Sequence, residues 1–138
     1  MPLGPAYDLL HIFMAVRLFT VEEANAALAT VRPLVAAMLA ARDRILEARP
    51  QLWPVLEKAA GNGGSPLAAA VLVDFETLRR SVKAIEALGV VIKDINTGLL
   101  DFRAEREGRE VCLCWRYDEP SVAFWHELEA GFAGRQPL

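Results

Sequence analysis

The chain has 138 residues and a formal net charge of −3. That length fits a single domain with its own core, and the absence of any Lys/Arg run argues against a nucleic-acid partner, whose phosphates demand a basic face. A hydrophobic fraction of 54% excludes a disordered chain, and the excess of Ala, Leu and Val favours packed helices.

The segment from Leu9 to Leu18 is apolar but lacks a basic flank and a cleavage site, so it does not read as a signal peptide. Residues 1–17 are expected to be an N-terminal extension, with Met14 as the true start and residues 18–138 as one α+β domain. No apolar run is expected to reach the roughly 20 residues that span a bilayer, so no membrane partner is expected.

Thr20-Val21-Glu22-Glu23 is a capping box. The Thr20 hydroxyl accepts from the Glu23 amide and the Glu23 carboxylate reaches back to Thr20. The stripe Ala24, Leu28, Val31, Val35, Met38, Ile45 then steps by four and three, the spacing of a helix packed on another helix. Pro33 should kink this helix, and Pro50 should end it near Ala48. Residues 49–66 read as a connection containing one short turn around Trp53 and the flexible run Gly61 to Gly64. Ser65 and Pro66 read as N-cap and first residue of a second helix with the stripe Val71, Phe75, Leu78, Val82, Ile85 and a C-terminal Gly89. The two helices should form an antiparallel hairpin over residues 20–88.

Beyond Gly89 the period changes from helical to alternating. Val90–Ile92, Leu99–Phe102, Glu110–Arg116 and Val122–His126 are strand candidates, with turns at Glu107-Gly108 and Asp118-Glu119-Pro120. Gly131 to Leu138 reads as an extended arm. The fold class is therefore α+β: two long antiparallel helices plus a small antiparallel sheet of three to four strands, the strands and arm occupying 90–138.

Chemistry-bearing side chains concentrate between Asp101 and Arg135. A hairpin of the last two strands pairs Arg116 with Val122, and hence Cys112 with His126. Cys112, Cys114 and His126 then share one face, where thiolate and imidazole suit zinc or iron, with Asp101, Glu119 and Glu127 as further ligands nearby. Cys114, His126 and Glu127 are the expected metal set. The plainer reading makes the cysteines small buried hydrophobes and His126 a hydrogen-bonded core residue. A Cys–His nucleophile is a third reading, but no nucleophile elbow or oxyanion hole surrounds it. Trp115, Arg116, Trp125 and Arg135 are the residue types enriched at contact surfaces, and Arg135 is expected to pair with Glu119 or Glu127. Two free thiols one residue apart cannot staple a fold and point to a reducing, cytoplasmic compartment.

Several stretches together resemble a prokaryotic family, domain of unknown function 2203. They are Phe19-Thr20-Val21-Glu22-Glu23-Ala24-Asn25, Gly98 to Phe102, Gly108 to Arg116, Glu119-Pro120, Trp125-His126-Glu127 and Gly131 to Pro137. The resemblance implies that Cys114, Trp115, Arg116, Glu119, Trp125, His126, Glu127 and Arg135 belong to the family motif. It places Cys112 at a variable position and Asp118 where glycine is expected. It carries no activity with it. Two functions are therefore expected as alternatives: a non-catalytic interaction or regulatory module, homo-oligomeric through its helical hairpin, or a metal- or small-ligand-binding protein using the Cys114/His126/Glu127 region.

Overall fold

The computed structural model describes residues 17–62 and 66–138; the expected start at Met14 and the Ser65 cap lie outside them. Helix α1 (Val21–Asn62) opens at the capping box: the Glu23 amide donates to the Thr20 hydroxyl and the Thr20 amide to the Glu23 carboxylate, each at 3.0 Å. Helix α2 (Pro66–Ala87) returns antiparallel to it and stops where Gly89 takes φ +84°.

The first helix runs 42 residues, well past the expected end near Ala48. Pro33, Pro50 and Pro54 all lie inside it and all are exposed. Each proline frees a carbonyl one turn upstream, and on the solvent side water takes the place of the missing donor. Within α1, the stretch Val21–Gln51 is long and apolar enough by length and composition to cross a membrane, contrary to the expectation that none would be. Its apolar side is the core: Ala24, Leu28, Val31, Val35, Met38 and Ala41 are all buried. In α2, Val71 and Ile85 are buried as expected, whereas Phe75 is 48% exposed. Asp74, bonded to Arg44 across the hairpin at 2.7 Å, takes the inward position beside it.

Five strands follow, in the order β1 (Val91–Asp94), β2 (Leu99–Arg106), β3 (Arg109–Arg116), β4 (Phe124–Glu127) and β5 (Gln136–Pro137), each antiparallel to its neighbour. The protein is thus α+β, with five strands rather than three to four. The extra strand comes from the C-terminal arm. After a 3-10 turn at Phe132–Gly134 it lies along β4. The β2–β3 hairpin turns on Glu107 (φ +53°) and Gly108 (φ +77°), two left-handed residues whose twist matches the strands. Cys112 pairs with His126, as the sequence predicts. Val122 leaves the ladder because its amide donates to Asn25 Oδ1 (2.8 Å) and its carbonyl accepts from Asn25 Nδ2 (3.3 Å) on α1.

Alternation sorts the sheet into two faces. Leu100, Phe102, Ala104, Val111, Leu113, Trp115 and Trp125 face the helices and build the core with Phe19, Ile85 and the α1 stripe. The register puts Asp101, Arg103, Cys112, Cys114, Phe124 and His126 on the other face.

Candidate functional site

The face turned away from the helices is not a solvated polar surface. Asp101 and His126 are each 1% exposed, Cys112 1% and Cys114 0%. Leu128, Gly131 and Phe132, from the segment after β4, line a pocket of about 200 Å3 with Asp101 and His126 and partly roof this face.

The register explains the cluster. Asp101 on β2 sits directly across from Cys114 on β3, and His126 on β4 directly across from Cys112. Asp101 and His126 meet diagonally over β3, Nε2 to Oδ1 at 3.0 Å. The other ring nitrogen, Nδ1, lies 2.7 Å from the Glu127 carbonyl, which only accepts. The second carboxylate oxygen, Asp101 Oδ2, is buried and accepts no hydrogen bond of ordinary geometry among the described residues, the Cys112 and Cys114 thiols standing close enough to the carboxylate for it to help hold their protons. Lys93 Nζ stands 3.9 Å from it, too far for a hydrogen bond.

Asp101, Cys114 and His126 offer an oxygen, a sulfur and a nitrogen donor that all lie within 4.8 Å of one another. Burial, reinforced by the Asp101 charge, pushes the Cys114 thiol up to about 12 and the Cys112 thiol up to about 11. Neither is a thiolate at neutral pH, which argues against a Cys nucleophile. A bound cation would reverse this for Cys114, because a coordinating thiol is deprotonated.

Other expected site residues fall elsewhere. Glu127 follows His126 on a strand, so it points to the opposite face; it pairs with Arg109 at the surface and is not a neighbour of Cys114. Of the expected set Cys114/His126/Glu127, the structure brings together Cys114 and His126, with Asp101 beside them and Glu127 turned away. Trp115 is fully buried on the core face, its Nε1 donating to the Glu119 carbonyl at 3.0 Å. Trp125 shares that face under the Arg106 guanidinium, 4.6 Å from its ring. Arg116 pairs with Asp118 at 2.6 Å.

Glu119 is the centre of a separate knot. It accepts from the Arg116 amide at 2.6 Å and from Arg135 at 2.6 and 2.8 Å. Arg135 stacks over Phe124 (4.1 Å) and Phe132 (4.7 Å) and donates to the Cys114 carbonyl at 3.3 Å, tying the roof to the site strand.

Lys93 is the site residue the sequence reading passed over. It lies at a β-bulge, between Ile92 paired with Leu100 and Asp94 paired with Leu99. Bulges re-aim side chains, and the alternation of Val91 and Lys93 beyond the expected strand end was the available signal.

These observations define a small α+β protein with a buried Asp–Cys–His cluster on the outer face of its sheet. The model of the uncharacterised conserved protein family DUF2203 matches residues 17–138, and the chain belongs to that family. No curated protein and no solved structure matches it.

Proposed function

We propose that this is a metal-binding protein that holds a divalent transition metal on Asp101, Cys114 and His126. The observation that carries the reading is the convergence of three buried donors of different chemistry, one of them with an oxygen that accepts no hydrogen bond of ordinary geometry among the described residues. Imidazole, thiolate and carboxylate together suit zinc best and iron next. His126 is oriented for ligation: Nδ1–H donates to the Glu127 carbonyl, which leaves Nε2 for the metal. Tetrahedral bonds of about 2.0–2.3 Å set donors roughly 3.3–3.8 Å apart. The 3.0 Å Asp101–His126 contact must therefore open by a few tenths of an ångström to admit the metal. Three protein ligands beside a pocket are the pattern of a site with an open position, not of a closed structural one.

The test is metal content of the purified, untagged protein by inductively coupled plasma mass spectrometry. Near-stoichiometric zinc or iron, lost in His126→Ala, is the expected result. A folded protein that carries no metal and takes up neither zinc nor cobalt on titration sinks the proposal.

A second reading makes the protein an interaction module that pairs with a second copy of itself through the hairpin. The observation favouring it is a set of exposed apolar side chains along the two helices: Leu46 (41%) on α1, and Leu72 (69%), Val73 (64%) and Phe75 (48%) on α2. Light scattering after size exclusion tests it; a monomer at high micromolar concentration, unchanged by Leu72→Glu, rules it out.

A further inference from the structure

We infer that the open position of this metal site takes a short-chain monocarboxylate, held by the metal and by Lys93; the inference rests on the metal reading above. Three observations support it. The first is charge. A divalent cation with the Asp101 carboxylate, the Cys114 thiolate and neutral His126 sums to zero, so the nearest outer charge decides what the open position attracts. Lys93 and Glu129 both line the pocket and both are exposed and screened, but the Lys93 ammonium stands 3.9 Å from the ligand Asp101 and is the pocket-lining cation closest to the metal position.

The second is the position of Lys93. Its Nζ is 3.9 Å from Asp101 Oδ2, near enough to be drawn to the carboxylate and too far to be bound to it. Once a metal engages Asp101, that attraction weakens and the ammonium is free to turn to a pocket ligand. The β-bulge that re-aims Lys93 places its side chain in the pocket wall with Asp101 and His126.

The third is size and lining. The pocket, about 200 Å3 and partly open to solvent, has room beside the metal for an anion of a few heavy atoms. Leu99, Leu128 and Phe132 supply apolar wall beside the charged groups. A carboxylate with a short alkyl tail matches both halves, whereas phosphate has no group for the apolar one.

The experiment uses the full chain loaded with cobalt(II) as chloride. Tetrahedral cobalt with one thiolate has visible bands that respond to a change of its fourth ligand. Propionate is expected to shift these bands saturably, and inorganic phosphate at equal concentration to shift them at least tenfold less. Lys93→Met keeps the alkyl stem and removes the charge; it should leave the ligand-free bands in place and weaken propionate at least tenfold. Bands that ignore propionate, or that respond as well to phosphate, overturn the inference while the metal site stands. No cobalt bands at all overturn the metal reading, and this inference with it.

Discussion

His126 Nε2 lies 3.0 Å from Asp101 Oδ1 while Nδ1 lies 2.7 Å from the Glu127 carbonyl, so both ring nitrogens face acceptors. The ring is thereby held at both nitrogens, between the Asp101 carboxylate and a backbone carbonyl that only accepts. Removing one partner of so buried a pair strands the other. His126→Ala is expected to cost about 3–5 kcal/mol of stability in the metal-free protein. Asp101→Leu/His126→Leu, which removes both, should cost less than the single change. Urea unfolding of the wild type and both variants measures this.

Zinc binding through Cys114 must displace the thiol proton, which burial holds up to about 12. That proton alone is expected to make zinc affinity rise about tenfold per pH unit between pH 7 and 8. A chelator-competition titration at three pH values reads the slope. Cys114→Ala should remove this contribution as well as weaken binding.

The buried thiols also set an alkaline limit on the fold. Their folded values are about 11 and 12, against 9.0 for an ordinary thiol. Below pH 9 both states hold the protons and nothing changes. Above it the unfolded chain loses protons that the native state keeps, so stability falls as pH rises. Each thiol contributes up to about 1.4 kcal/mol per pH unit between pH 9 and its folded value. Urea unfolding from pH 8 to 11 should show a steeper decline for the wild type than for Cys112→Ala/Cys114→Ala; parallel curves would refute the assignment.

Gly98 sits in the turn before β2 at φ +69°, where its Cα passes Val35 and Tyr117. A Cβ there would come within 2.8 Å of Val35 Cγ1 and 2.9 Å of Tyr117 Cβ. Gly98→Ala therefore adds a left-handed backbone penalty to a steric one, and is expected to cost about 1–3 kcal/mol. Gly108, with a similar φ and nothing within 4 Å, is the control. Gly108→Ala should cost about 1 kcal/mol or less, both read from denaturant midpoints.

Much of this was legible in the residues themselves. Period and caps placed both helices, and the five-residue loop after Arg116 placed Cys112 across from His126. Strand alternation also argues against Glu127 beside His126, since successive strand residues face opposite ways. Two things were not legible. Pro50 reads as a stop, and only exposure on the solvent side lets the helix pass through it. Asp101 is one carboxylate among many until the β2–β3 register sets it across from Cys114. The arm was legible in part: the expected Arg135 pair forms, with Glu119, but its return along β4 as a fifth strand depends on Arg135 stacking over Phe124 and Phe132, which no local pattern shows.

Arg135 links that arm to the site. Its guanidinium lies over Phe124 and Phe132, bonds Glu119 and reaches the Cys114 carbonyl, and the Arg135 and Glu119 side chains are only 12% and 15% exposed. Arg135→Ala leaves the Glu119 carboxylate with little water and is expected to cost about 3 kcal/mol. Arg135→Lys keeps the charge but loses the planar stacking on two rings and the reach of the fork, so it should fall between wild type and Ala. Because Phe132 then loses its clamp, the pocket wall it forms should open. Metal release to excess chelator is accordingly expected to speed up in both variants, more in Ala than in Lys. If release rates stay at the wild-type value while stability drops, the arm is a structural strap with no control over access to the site.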